Sequence, residues 1–131
     1  MAGADIGALE AWSHGAGANG LLLAVADTGI DPRQPDLGGA MPDGSPRIVY
    51  AANVTGVEPA GMVTDSFGHG TPVAGVFAAR TNDGPHFDSL GVAGVCGGDG
   101  AGNAGCRVVP IKIAPGRSGS ASSFAVAAAI A

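Results

Sequence analysis

Apolar and polar positions fall along the chain in blocks that predict helix, strand, strand, helix, strand and helix. Ile6, Leu9 and Trp12 recur at helical spacing, so residues 6–14 are expected to form a short helix. A glycine-rich turn over 15–20 ends it. Residues 21–26 (LLLAVA) are a continuous apolar run between turn signals, the pattern of a fully buried parallel strand. Residues 47–53 (RIVYAAN) and 107–113 (RVVPIKI) predict a second and a third strand. Residues 69–79 are mostly Ala, Val and Phe and predict a helix. Pro72 falls in its first turn, where a missing N–H costs nothing. Residues 31–46, 54–66 and 80–89 are loop-like, 91–95 are a short apolar segment, 115–120 are loop, and 122–131 begin a helix. Strands alternating with helices predict an α/β fold, a parallel sheet flanked by helices on both faces.

Composition agrees with a packed fold. The 131 residues fit one domain, 46% of them are hydrophobic and only 13% are charged. A disordered chain has the opposite balance. The 24 glycines spread the apolar residues over turns and close backbone contacts, and aromatics are few. A net charge of -5 with six basic residues and no basic cluster argues against nucleic acid as a partner. No apolar run reaches the roughly 18 residues of a membrane span. Residues 1–5 lack the basic start and apolar stretch of a signal peptide. The start is therefore expected either to be internal to a longer precursor or to belong to a cytoplasmic protein.

Cys96 and Cys106 are the only cysteines, and they bracket a glycine-rich loop. A disulfide and a pair of free thiols both fit that arrangement. With no histidine nearby, a zinc site does not. Two stretches, 15–20 and 100–105, match the G-x-G-x-x-G pattern. Each precedes a strand instead of following one. Neither can therefore deliver a phosphate to a helix N-terminus, and nucleotide binding is set aside.

The candidate chemistry begins at Asp27, where the apolar run 21–26 ends. Ligand sites in open parallel sheets form just beyond that edge. Alone, Asp27 reads more readily as a turn cap through Thr28-Gly29. His69 starts the predicted helix between Gly68 and Gly70, which allow close backbone approach and leave the imidazole accessible. A lone histidine there fits a solvated helix start. A catalytic one must reach a carboxylate through Nδ1 and a nucleophile through Nε2.

Longer strings carry a resemblance. Ala24-Val25-Ala26-Asp27-Thr28-Gly29-Ile30 resembles the aspartate motif of the subtilisin-like serine proteases, and Gly68-His69-Gly70-Thr71-Pro72-Val73-Ala74-Gly75 resembles their histidine motif. Pro35-Asp36-Leu37 resembles the segment after the aspartate, with Gln34 where His is usual. Pro72 stands where a second His is common. Gly91-Val92-Ala93-Gly94-Val95 and the strand Val108-Val109-Pro110-Ile111-Lys112-Ile113 resemble the segments that follow. The aspartate and histidine come in the chain order of that family's Asp-His-Ser triad.

The resemblance implies a three-layer subtilisin-like fold, with residues 1–131 as the N-terminal part of a peptidase domain. It implies a serine endopeptidase of polypeptide substrates, with His69 as general base and Asp27 orienting it. Neither the nucleophile segment nor the oxyanion Asn lies within these residues. Ser118, Ser120, Ser122 and Ser123 lack the nucleophile's context, so the 131 residues alone are expected to be inactive. A non-catalytic binding or scaffold module is the alternative. The family also implies a substrate-pairing segment at Ser118, Gly119 and Ser120, and a structural calcium near Asp36 and Asn82, with no cofactor for the chemistry. A propeptide in the precursor and an extracellular location are implied as well.

Overall fold

The structure, a computed structural model, describes residues 6–81, 91–100 and 102–131. Its elements are α1 (Ala8–Trp12), β1 (Leu22–Asp27), β2 (Ala52–Asn53), α2 (Gly70–Ala78), β3 (Arg107–Lys112) and α3 (Ser123–Ile130). The three strands form one parallel sheet in the order β1-β3-β2. This is the α/β arrangement that the alternating pattern predicts. In the register, Leu22 lies beside Arg107 and Asp27 beside Lys112, while Asn53 also pairs with Lys112. The C-terminal ends of all three strands therefore meet at one edge.

Helix α2 packs on β1 and β3. Val25, Ile30, Leu37, Ala74, Ala78 and Val108 form the core between them. The small residues Ala74 and Ala78 face inward one turn apart, which lets the helix lie close to the strands. β3 is the middle strand, and Val108, Pro110 and Lys112 are buried along it.

Three expectations are corrected. The run 21–26 is not buried throughout. Leu22 is 50% exposed and only Val25 is buried in β1, because Leu22, Ala24 and Ala26 share the sheet face opposite the one that Val25 turns to the core with α2. The second strand does not run from 47 to 53. Tyr50 has φ 52, a left-handed conformation that breaks a strand, so pairing is reduced to one bridge at Ile48 and the two residues of β2. Helix 6–14 shrinks to five residues behind Gly7, with Ile6 and Leu9 exposed and Trp12 anchored by its indole N–H to the Val95 carbonyl at 2.9 Å. The other helices shift by a residue or two. In α3, the hydroxyl of Ser122 caps the first turn by accepting from the Ala125 N–H at 3.1 Å.

Two buried cations fix these parts to one another. The guanidinium of Arg47 is fully buried and donates to the carbonyls of Cys106, Asp36 and Ala78. It thereby joins the start of β3, the loop after β1 and the C-terminal end of α2. Lys112 is equally buried and donates to the Thr64 carbonyl at 2.8 Å. The structure joins Cys96 to Cys106 in a disulfide, with Cα atoms 5.6 Å apart.

Candidate active site

Asp27 is the last residue of β1, at the edge where the strands end. The chain then turns through Gly29 at φ 111, and a Cβ there would lie 2.3 Å from the Val63 carbonyl oxygen. No other residue fits that turn. His69 is the N-cap residue of α2. The first helical residue, Gly70, presses against the strand end. A Cβ on it would lie 2.1 Å from the Gly29 carbonyl and 3.0 Å from Asp27 Oδ1. Gly70 thus brings the helix start onto the carboxylate. Gly68 contributes differently, adopting φ 91 in open space to turn the chain into the helix.

The result is a close pair. His69 Nδ1 lies 2.8 Å from Asp27 Oδ1 and 3.0 Å from Oδ2. The Asp27 side chain is 14% exposed, whereas that of His69 is 61% exposed. The N–H of Thr28 donates to Asp27 Oδ1 at 2.6 Å and fixes the carboxylate's rotation. The hydrogen bond to Asp27 raises the imidazole above its ordinary pKa of 6.5. The charge of Asp27 adds to this, slight desolvation opposes it, and the charge of Asp65 contributes further in the same direction. With Nδ1 committed to the carboxylate, neutral His69 carries its free lone pair on Nε2. Among the described residues nothing bonds that nitrogen. The arrangement can accept a proton at an exposed edge while a shielded carboxylate steadies the cation formed.

Residue pattern alone did not single out Asp65. It lies on the loop before His69, and both of its oxygens are fully used. Oδ1 accepts from the Thr28 hydroxyl at 2.8 Å and the Gly68 N–H at 2.7 Å. Oδ2 accepts from the Thr71 N–H at 2.8 Å and its hydroxyl at 2.7 Å. Burial pushes its pKa up, but these hydrogen bonds outweigh burial and hold it at about 2. A signal was available: an acid shortly before a helix start is where a cap is expected.

The other expected site residues fall elsewhere. Ser118, Gly119 and Ser120 are exposed and without regular structure. Gly119 packs on the Phe67 ring, two residues before His69 in the chain. Asp36 accepts from the Val92 N–H at 3.2 Å, and its carboxylate lies against Gly91. Asn82 lies outside the described residues. Among the described residues no three His, Cys, Asp or Glu side chains converge on a metal site. Asp36 alone does not make a calcium cage, which needs six to eight oxygens.

Comparison with known proteins identifies the family. Residues 18–131 match the family model described as "Subtilase family". The chain is 36% identical over 91 residues to "Proprotein convertase subtilisin/kexin type 4" of Homo sapiens, covering 68% of this chain and 11% of that protein. It is 33% identical over 95 residues to the "Cell wall-associated protease" of Bacillus subtilis (strain 168), covering 72% of this chain and 8% of that protein. It is 37% identical over 94 residues to the "Major intracellular serine protease" of the same organism, covering 69% and 25%. The matched regions thus span a quarter or less of these three relatives.

Proposed function

The chain belongs to the subtilase family of serine proteases, and from that premise we propose that it supplies the aspartate and histidine of an Asp-His-Ser triad that hydrolyses peptide bonds. The observation that carries the reading is the bond of His69 Nδ1 to a shielded Asp27 carboxylate while the imidazole stays exposed. In this reading Nε2 takes the proton of a serine hydroxyl as that oxygen attacks the peptide carbonyl, and then returns it to the leaving amine. Asp27 holds the tautomer and stabilises the imidazolium without taking the proton. The nucleophile and the oxyanion donors come from the remainder of the protein, and residues 1–131 form the first part of the peptidase domain.

Polypeptides are the proposed substrates, and Ser118, Gly119 and Ser120 the backbone edge along which an extended one pairs. The packing of Gly119 on the Phe67 ring, two residues before His69 in the chain, supports this. An extracellular location is proposed on the Cys96–Cys106 disulfide, since such bonds persist in oxidising compartments. Among the described residues no helix is long and apolar enough to cross a membrane. A propeptide in the precursor is carried by the resemblance alone. So is calcium at Asp36 and Asn82, which chelation tests: removal of calcium lowers the melting temperature if that site exists and leaves it unchanged otherwise.

The experiment is labelling with a fluorophosphonate probe, which reacts only with an activated serine. The full-length protein should label at one serine outside residues 1–131, and His69→Ala should abolish the label. The isolated 131-residue chain should neither label nor cleave peptides. A folded full-length protein that takes no label would favour a non-catalytic binding module.

A further inference from the structure

Helix α2 has an unusual start. Its N-cap residue, His69, makes no capping bond, because its side chain is committed to Asp27. The first N–H groups of a helix still need acceptors. Here they are supplied by two other residues. The Thr28 hydroxyl accepts from the Gly70 N–H at 2.9 Å, and the Asp65 carboxylate accepts from the Thr71 N–H at 2.8 Å. Thr28 Oγ1 then donates to Asp65 at 2.8 Å, which closes the network. The Thr71 hydroxyl extends it by accepting from the Asp31 N–H at 3.0 Å.

The network spans the two halves of the pair. Thr28 follows Asp27 directly and its N–H fixes the Asp27 carboxylate. Gly68 and Gly70, on either side of His69, bond to Asp65 and Thr28. A shift of the helix start relative to the strand end would break several charge-assisted bonds at once. Asp65 has no spare lone pair for substrate or metal, since each oxygen already accepts two bonds. A negative group at this helix start is also favoured by the helix dipole.

We propose that Asp65 and Thr28 are positioning residues that together replace the missing N-cap of α2, and so hold His69 in register with Asp27. The proposal rests on the reading of Asp27 and His69 as catalytic. Asp65 acts only through the geometry and charge it presents to His69, never on the substrate. Its nearness also helps keep His69 above an ordinary histidine's pKa.

The test uses the full-length protein with a chromogenic peptide substrate. Thr28→Val removes the bridging hydroxyl at nearly constant shape, and Thr28→Ser restores it. Asp65→Asn removes the charge and leaves a single acceptor oxygen. The expectation is that Thr28→Val and Asp65→Asn each lower kcat by roughly 10–100-fold, the scale of a slightly misplaced catalytic group. KM should stay within about threefold, and the rise of kcat/KM with pH should move to lower pH in Asp65→Asn. Thr28→Ser should recover most of the loss. Folded Thr28→Val or Asp65→Asn protein with wild-type kcat and an unshifted pH profile would overturn the proposal. If Asp65→Asn does not fold, the Thr28 pair decides: equal kcat in the Val and Ser variants overturns it. His69→Ala, run alongside, separates the two levels. An inactive His69→Ala beside a fully active Thr28→Val rejects the positioning network alone, whereas an active His69→Ala rejects the catalytic reading beneath it.

Discussion

Lys112 Nζ lies 3.2 Å from Glu58 Oε2, and the lysine side chain is wholly shielded from solvent. The lysine ends β3, and Glu58 lies on the loop after β2. Glu58 also accepts from the Gly116 N–H at 2.8 Å and the Asn53 amide at 3.0 Å. One carboxylate therefore ties β2, β3 and the lead into residues 118–120. The Gly116 bond, then the Asn53 bond, lower its pKa against desolvation, with Lys112 adding to the effect. A lowered carboxylate pKa contributes stability that is present above the unfolded value of 4.5 and lost as pH falls below it.

Glu58→Gln should therefore be costly. It leaves the buried Lys112 ammonium without a counter-charge, a change worth about 3 kcal/mol in buried pairs. Urea unfolding of the full-length protein should show a loss of this size at neutral pH, shrinking toward pH 3. An unchanged midpoint would mean that Lys112 finds its neutralisation elsewhere.

Arg47→Met should destabilise by a comparable amount, about 3 kcal/mol or more. The substitution keeps most of the volume but leaves the carbonyls of Cys106, Asp36 and Ala78 without their shared donor. The Ala78 carbonyl belongs to the last turn of α2, so a cation there also complements the helix dipole. Thermal unfolding of Arg47→Met and Arg47→Lys checks this. Lysine should recover only part of the loss, since it cannot present the planar fork.

Reducing the Cys96–Cys106 disulfide should cost about 3 kcal/mol, the loop-closure value for a short loop. Gly17 should amplify the effect. A Cβ there would lie 2.9 Å from the Cys96 sulfur, so the 15–20 turn packs directly on the bridge. Comparing unfolding midpoints with and without reductant measures it. Identical midpoints would show that the loop is held by its hydrogen bonds alone.

The pH dependence of turnover follows from the direction of the His69 shift. Its folded pKa is raised, chiefly by the Asp27 hydrogen bond. The general base is the neutral form, so kcat/KM should rise with pH through an apparent pKa above 6.5. The linked stability runs the opposite way: the extra stability is full below 6.5 and is lost as pH rises through the folded pKa. Asp27→Asn should cut kcat by roughly 10⁴-fold through the wrong tautomer, and shift any residual limb downward. NMR titration of the His69 ring reports the same pKa without turnover.

Much of this site was legible in the chain. Asp27 could be placed at a strand end because apolar runs and turn residues are local signals. His69 could be placed at a helix start because Pro72 and the glycines around it mark one. The break at Tyr50 was not legible, since a positive φ runs against a tyrosine's own backbone preference. The exposure of Leu22, Ala24 and Ala26 depends on which face of β1 a helix covers, a long-range outcome of packing. The network of Asp65, Thr28 and Thr71 includes hydrogen bonds between residues 37 and 42 positions apart, and bonds of that kind leave no periodic trace. Arg47 and Lys112 illustrate the same limit: both cations are buried, Arg47 among backbone carbonyls and Lys112 against the Thr64 carbonyl and Glu58, partners that strand periodicity does not mark.

The most direct measurement is kcat/KM of the purified full-length protein on an unstructured polypeptide, with and without His69→Ala. The wild type should cleave it, and the variant, folded to the same melting temperature within a few degrees, should lose at least roughly 10⁴-fold. A folded wild type with no peptidase activity, or a His69→Ala protein that keeps it, would contradict the assignment of Asp27 and His69.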